Sequence, residues 1–225
     1  MSAPLNIVYT ELEPDAVEAL HKADAAIFPN KLALQTLLCW QIAQPDLFVQ
    51  VEATDHIGKR TGVLCLLGIH KTFHDALMQG QLEECDIMPD MLVPRASKDP
   101  CGYHVWHIEN NSGKPKTGQK RTNFMKAAFT GLVKEQLSIA ASLQSQSQMT
   151  VSALTATDHG QAFFEKQGFE SCGTWDYIVK GVDGQSCVRH SKTPTAPALA
   201  KGEELIRACN MMRRSYDCQP MDKQV

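Results

Sequence analysis

The chain has 225 residues, of which 43% are hydrophobic and 21% are charged. These proportions are typical of soluble globular proteins and exclude disordered, collagen-like and coiled-coil chains. A chain of this length removes about 70% of its unfolded surface from water, so its core needs no disulfide or metal. The 25 acidic and 22 basic side chains leave a net charge of −3, which argues against a nucleic-acid partner.

The sequence carries no sign of export or membrane insertion. Its N-terminus lacks the pattern of a cleaved signal, and no run reaches the roughly 18 apolar residues of a membrane helix. Eight cysteines are scattered without CxxC pairs, several of them in apolar runs such as LLCW, which is typical of buried reduced thiols. We therefore expect a cytoplasmic protein without a membrane partner, and we expect a monomer.

The first half of the chain predicts alternating strands and helices. In chain order these are a strand over Asn6 to Thr10, a helix from Pro14, a helix over about Leu32 to Ile42, and strands over LFVQV and GVLCLLGI. From Lys71 to Pro100 the pattern predicts a short helix over Asp75 to Glu84 and then an irregular, proline-containing excursion. Long loops of this kind often shape binding sites.

The second half is organised around a strand, a polar loop and a long helix. The strand is YHVWHIE, the loop runs from Asn110 to Arg121, and the helix carries Met125 to Leu143 on its apolar face. A strand over MTVSAL and a helix follow, for which we predict Asp158 as N-cap, Gln161 at the capping-box position and Gly168 as the stop. The last predicted strand covers Trp175 to Val182.

We divide the chain into a domain over residues 1–183 and a separable tail over residues 184–225. The tail begins with a segment rich in Pro and Lys and contains a predicted amphipathic helix around Glu203 to Arg214. The domain has an α/β pattern, which by itself does not indicate an activity.

One motif does indicate an activity. TATDHGQAFFEKQGFE resembles the second half of the acetyl-CoA-binding core of the GNAT N-acetyltransferase superfamily, where a strand ends in Asn or Asp and a helix reads close to Phe-Tyr-Glu-Lys-x-Gly-Phe. Phe163 to Phe169 match six of these seven positions, counting the free one. The resemblance implies a GNAT fold: a mixed, mostly antiparallel, twisted sheet of about six to seven strands with helices on both faces.

Three further stretches resemble the arylalkylamine (serotonin) N-acetyltransferase group within that superfamily. They are Phe28-Pro29, Pro45-Asp46-Leu47-Phe48 and Asp99-Pro100-Cys101-Gly102, so that the resemblance covers about Asn6 to Lys180. It implies transfer of an acetyl group from acetyl-CoA, as co-substrate, to a small-molecule primary amine, either an arylalkylamine or a polyamine-like compound.

The resemblance also implies a set of cofactor-binding residues. It places the pyrophosphate loop and the start of the long helix at Lys116, Thr117, Gly118, Gln119, Lys120, Arg121, Thr122 and Asn123, and adds Asp158 and Phe164. In the family, backbone N–H groups and the helix dipole hold the diphosphate. Gln119 and Arg121 occupy the two glycine positions of the family pattern, but three basic side chains could supply charge-assisted contacts instead. The alternative is a solvated basic loop.

The resemblance places His107 at the position of a catalytic histidine. An alkylamine with a pKa near 10 is only about 0.1% neutral at pH 7, which adds roughly 4 kcal/mol to the barrier unless a base assists. Strand alternation predicts Glu109 on the same face as His107 and His104 on the opposite face. We therefore assign catalysis to His107 and Glu109, by direct attack of the amine, although a lone histidine on a strand is more often structural.

Two features leave alternatives open. Phe164 stands where the superfamily commonly has a proton-donating tyrosine, and the predicted phosphate loop lacks two glycines of the family pattern. A catalytically inactive GNAT-fold binding or regulatory protein is therefore the alternative to an enzyme. A protein-acetylating enzyme is a third. Trp106 and Trp40 could line an amine pocket or belong to the core. The metal-like spacings Cys101-x2-His104-x2-His107 and His70-x3-His74 are rejected because strand alternation opposes the first and the second lacks further ligands.

Overall fold

The computed structural model describes residues 6–24, 32–55, 58–94, 97–111, 124–144, 146–180, 185–191 and 203–218. The strands in these ranges are β1 (Asn6–Glu11), β2 (Phe48–Asp55), β3 (Gly58–His70), β4 (Cys101–Asn110), β5 (Gln148–Thr155), β6 (Glu170–Lys180), β7 (Gln185–Ser191) and β8 (Glu203–Asp217). The α-helices are α1 (Pro14–Asp24), α2 (Leu34–Ala43), α3 (Lys71–Met78), α4 (Phe124–Ser142) and α5 (Asp158–Glu165).

The strands form one sheet in the order β1-β2-β3-β4-β5-β8-β6-β7. Among the described strands, only the β4–β5 pair is parallel, and all the other neighbouring pairs are antiparallel. The predicted α/β architecture with a mixed, mostly antiparallel sheet is confirmed. The described ranges contribute eight strands to the sheet, whereas the sequence led us to expect six or seven.

Helices cover both faces of the sheet, as predicted, and each face has its own core. Helices α4 and α5 pack on one face through residues such as Phe129 and Phe164, and α1, α2 and α3 pack on the other. Alternation along β3 supplies both cores, because Leu66 faces the first and its neighbour Leu67 faces the second. The burial of each such side chain stabilises the fold by about 1.5–3 kcal/mol.

The amphipathic helix predicted around Glu203 to Arg214 is wrong. This segment belongs to β8, which lies between β5 and β6 and pairs antiparallel with both. Its residues include good helix formers, but two flanking strands offer a complete set of ladder partners, and tertiary pairing overrides local propensity. Alternation then places Met211 in one core and Met212 in the other. The strand predicted over Trp175 to Val182 is β6, and it is followed by β7 and β8.

Two helix boundaries also differ from the predictions. Helix α3 begins at Lys71 and ends at Met78, before Gly80 with its positive φ of 71°. The N-cap of α5 is Thr157, whose side chain accepts a hydrogen bond from the backbone N of Gly160, so Asp158 is the first helical residue instead. None of the described helices combines the length and the hydrophobicity needed to cross a membrane.

Candidate active site

The candidate site is a wedge between the two parallel strands. β4 and β5 pair over only three positions, from Tyr103 opposite Val151 to Val105 opposite Ala153. Beyond these positions β4 continues to pair with β3 and β5 continues to pair with β8. The facing edges of β4 and β5 are therefore not joined by a ladder at their C-terminal ends, and a cleft opens there.

The cleft has a volume of about 130 Å³. Its walls come from the C-terminal halves of the two strands and from α1 and α5: Val105, Trp106, His107, Ile108, Leu154, Thr155, Ala156, Thr157, Asp24, Gly160 and Phe164. The lining is mostly apolar, with a few polar groups from three different elements, which is typical of small-molecule sites. Of the two tryptophans considered for an amine pocket, Trp106 lines this cleft, whereas Trp40 is fully buried and donates its Nε1–H to the carbonyl of Ile87.

A β-bulge in β4 determines which side chains reach the cleft. The register with β3 shifts so that Val105 lies opposite Leu66 and His107 lies opposite Cys65, leaving Trp106 without a partner residue on β3. A bulge adds one residue and re-aims the side chains after it. Consequently His104 and His107 lie on the same face of the sheet, and our expectation that His104 points to the opposite face is wrong.

His107 is held by a carboxylate from α1. Its Nδ1 lies 3.2 Å from both carboxylate oxygens of Asp24, and its Nε2 lies 3.4 Å from Oε2 of Glu109. The His107 and Asp24 side chains are only 11% and 13% exposed, whereas Glu109 is 45% exposed. The contact with Asp24 is the stronger of the two because it is shorter, is shared between both carboxylate oxygens and is better shielded from water.

These contacts change the proton affinity of His107. Burial alone would lower its pKa, but the hydrogen bond and charge of Asp24, together with the charge of Glu109, outweigh burial and raise the pKa above its usual 6.5. The ring also lies beside the indole of Trp106, with 5.5 Å between the ring centroids. The arrangement gives an imidazole that is more basic than usual at the edge of an apolar cleft.

The structure brings together some of the predicted site residues. Phe164 lines the cleft and is 2% exposed, and its ring packs with Phe129, Phe163 and Phe169. Asp158 is the first residue of α5 and is not part of the cleft lining. The predicted phosphate-binding residues 116–123 lie outside the described residues, directly before α4.

Sequence reasoning missed Asp24. One signal could have indicated it: Asp24 is the last residue of α1, where a negative charge opposes the helix dipole. A carboxylate at such a position is unfavourable for the isolated helix, which suggests a partner elsewhere in the fold.

The two metal-like spacings have other roles in this fold. Cys101 belongs to the core under α4, while His104 and His74 both bond to Ser152 on the other face. Within the described ranges, no three His, Cys, Asp or Glu side chains are grouped so that they could hold a metal ion.

Comparisons with known proteins give distant structural similarities. No family model matches the chain, and a search of curated proteins also found no match. Among solved structures, NAA60 of Arabidopsis thaliana, solved with a bisubstrate analogue, matches 95% of this chain and 100% of its own, with 10% identity and a TM-score of 0.45.

Two further acetyltransferases match at a similar level. A mosquito arylalkylamine N-acetyltransferase-like protein, 5b, covers 94% of this chain and 100% of its own, with 14% identity and a TM-score of 0.44. The ribosomal-protein-S18-alanine N-acetyltransferase of Escherichia coli covers 98% of this chain and 99% of its own, with 9% identity and a TM-score of 0.41. All three similarities are distant, with identities of 9–14%.

Proposed function

We propose that this chain is a GNAT-type N-acetyltransferase that moves the acetyl group of acetyl-CoA to a primary amine, either an arylalkylamine or a polyamine-like molecule. The observation that carries the proposal is the cleft between β4 and β5, into which β4 brings His107, paired with the largely buried Asp24 carboxylate of α1. The motif from Phe163 to Phe169, which lies on the α5 side of the same cleft, supports it.

The cleft suits an extended ligand with amide groups. Strand edges without ladder partners can hydrogen-bond an extended amide-containing chain, as in strand addition, and apolar side chains such as Ile108 and Leu154 cover its hydrocarbon parts. Acetyl-CoA has such an arm and supplies an activated acetyl group as a thioester. Helix α4 starts at Phe124, directly after the basic segment in the sequence, and the N-terminus of a helix favours a diphosphate.

His107 is the proposed general base. When Nδ1–H donates to Asp24, the neutral ring keeps its lone pair on Nε2, which can accept the proton of an incoming ammonium group. Nε2 can donate to Glu109 only while the ring is cationic, and this contact is long and exposed, so the neutral ring leaves Nε2 open to the substrate. The two carboxylates beside the ring also attract a cationic amine more strongly than a neutral or acidic acceptor.

Position 164 offers no phenolic hydroxyl that could protonate the departing thiolate of coenzyme A. Phe164 offers only its ring, but a thiol pKa near 8.5 means that expelling the thiolate at pH 7 costs about 2 kcal/mol relative to release as the thiol. We therefore expect turnover to be slower than with a tyrosine at this position, but not abolished.

The same residue favours the second candidate, a GNAT-fold protein that binds a ligand but does not catalyse. Phe164 lies in an aromatic cluster with no hydroxyl to donate, and glycines are missing from two positions of the predicted phosphate loop. Acetylation of a protein or peptide is the third candidate. The second candidate would acetylate nothing, and the third would acetylate a protein or peptide instead of a small amine.

A calorimetric titration with acetyl-CoA, followed by assays with tryptamine, spermidine and a peptide with a free N-terminus, separates these candidates. Binding with turnover of an amine supports the proposal, binding without turnover supports the second candidate, and turnover of the peptide alone supports the third. No binding at millimolar acetyl-CoA would refute the proposed function.

A His107 variant tests the mechanism separately. His107→Gln should lower kcat and remove the acid limb of the pH–rate profile, because the titrating base is gone. His159→Gln is the matched control, since His159 is exposed on α5 and is not part of the cleft lining. An unchanged pH–rate profile in His107→Gln would exclude the assigned role.

A further inference from the structure

A chain of four buried polar side chains lies next to the cleft and takes no part in the proposed chemistry. It runs from Glu84 through His104 and Ser152 to His74, with distances of 2.7 Å, 2.8 Å and 2.9 Å between the bonded atoms. All four residues are between 0% and 6% exposed. A buried polar group is costly unless it is hydrogen-bonded, and every side chain of this buried polar chain has a hydrogen-bond partner within it.

The hydrogen bonds of the buried polar chain have one consistent direction. Nε2 of His74 also lies 3.2 Å from the carbonyl of Tyr103, which can only accept, so this nitrogen carries a proton and donates. Ser152 then accepts from His74 and donates its own proton to Nδ1 of His104. Nε2–H of His104 in turn donates to Glu84. Each donor thus has an acceptor.

The central bond of the buried polar chain lies at the closed end of the cleft. His104 pairs with Ser152, and this is the middle of the three residue pairs that join β4 to β5. The strands separate one position later, after Val105 and Ala153. The hydrogen bond between the two side chains therefore reinforces the shortest ladder among the described strands, at the point where β4 and β5 begin to diverge.

The outer members attach this point to the rest of the fold. His74 comes from α3, and its ring lies so close to Gly102 that a Cβ there would be 2.3 Å from Nδ1. Glu84 comes from a 3-10 turn, Glu84–Asp86, on the same side of the sheet. The ring of His104 is thus fixed from both ends, which leaves it one orientation toward Ser152.

We infer that the buried polar chain is a positioning device for the cleft: the bond between His104 and Ser152 fixes the separation of β4 and β5 where the cleft begins. Through that separation the bond sets the width of the cleft. That this width receives the thioester arm of acetyl-CoA rests on the proposed function. The residues involved are positioning residues, since none of them lines the cleft.

Two substitutions of His104 separate positioning from stability. In His104→Asn the amide takes the place of Nδ1 and keeps the contact with Ser152, but it leaves the Glu84 carboxylate buried without its partner. In His104→Gln the longer side chain reaches Glu84 but loses Ser152. We expect His104→Asn to be the less stable of the two toward urea, because an unpaired buried carboxylate costs more than a lost neutral bond.

The expected order of affinity is the reverse. His104→Asn should bind acetyl-CoA within about twofold of the unsubstituted chain, whereas His104→Gln and the nearly isosteric Ser152→Ala should bind at least about fivefold more weakly. The matched control is Tyr103→Phe, which removes a buried hydrogen bond to Gln136 on the other face of β4. It should lower stability and leave the affinity unchanged.

Hydrogen exchange tests the inference without any ligand. Relative to the amides of β2, those of residues 101–110 and 148–155 should exchange about tenfold faster in Ser152→Ala and His104→Gln. In His104→Asn the loss of stability affects all strands alike, so this ratio should stay nearly the same. If the unsubstituted chain does not bind acetyl-CoA, the proposed function fails while exchange still decides the inference. Unchanged exchange in Ser152→Ala, or affinities that follow the order of stability, would overturn it.

Discussion

Asp24 and His107 are 83 residues apart in the sequence, yet both carboxylate oxygens of Asp24 lie 3.2 Å from Nδ1 of His107. The pair joins the end of α1 to the bulged part of β4 and lies in the wall of the cleft. A carboxylate in this position does two things: it selects the ring tautomer, and it stabilises the imidazolium that forms when the ring takes a proton.

Replacing Asp24 by Asn should therefore lower both the basicity of His107 and the reaction rate. Removing the charge eliminates the main influence that raises the His107 pKa, so burial should move the pKa downward. Because the neutral ring is the active form, the acid limb of the kcat/KM profile should move to lower pH, and kcat should fall by about tenfold or more. Steady-state rates measured between pH 5 and 9 test this.

Asp15→Asn is the matched control for this prediction. Asp15 lies on the same helix, is exposed, and comes from its first turn, so its substitution removes one negative charge at a distance from the cleft. An acid limb that stays at the same pH in Asp24→Asn, or that moves equally in both variants, would show that Asp24 does not control His107.

His74 should make the fold sensitive to acid. Burial, with the nearby His104 adding to it, lowers the pKa of His74 from 6.5 to about 4. The unfolded chain takes up a proton below about pH 6.5 and the native chain does not, so the free energy of unfolding should fall by about 3 kcal/mol between pH 6.5 and 4. Urea unfolding at pH 7 and pH 4.5 should show most of this loss in the unsubstituted chain.

His74→Gln should reduce that loss, because an amide can still donate to Ser152 and does not titrate. The exposed His159, changed to Gln, should leave the acid sensitivity as it was. If all three proteins lose the same free energy of unfolding on acidification, His74 does not contribute in this way.

The sequence predicted those elements whose signal is local. The run GVLCLLGI was expected as a strand and is β3, because a strand buried on both faces must be hydrophobic at every position. The long helix with Met125 on its apolar face is α4. Gly168 was expected to end a helix, and it lies just after α5 with a positive φ of 79°.

Features that depend on distant partners could not be predicted in this way. The bulge at Trp106 exists only in the register with β3, and it reverses the face expected for His104 relative to His107. β8 is a strand because β5 and β6 pair with it, although its residues are compatible with a helix. That His107 and Glu109 share a face was predicted from strand alternation and is confirmed by their contact, whereas the contact with Asp24 needed the packing of α1 against the sheet.

The basic segment before α4 should contribute most of the affinity for the diphosphate of acetyl-CoA. Changing Lys116, Lys120 and Arg121 together to Ala removes three charges from the start of that helix, and the Kd should rise at least about tenfold because charge-assisted contacts are lost. The effect should shrink at high salt as the charges are screened. Calorimetric titration at low and high salt measures both.

A second triple variant controls for net charge. Lys22, Lys59 and Lys71 have side chains that are 72%, 62% and 59% exposed and lie on other elements, so changing them to Ala removes the same charge elsewhere. This variant should bind acetyl-CoA like the unsubstituted chain. Equal affinities for both triple variants would show that the segment before α4 does not hold the diphosphate.

Finally, a chain ending at residue 183 should fail to fold cooperatively. It would lack β8, leaving β5 and β6 without their shared neighbour and removing Cys209, Met211 and Met212, each fully buried, from the two cores. Circular dichroism during urea unfolding should show a broad change without a transition. A chain ending at residue 218 keeps β8 and is the control, expected to unfold like the full chain. A sharp transition in the shorter chain would instead support a separable domain over residues 1–183.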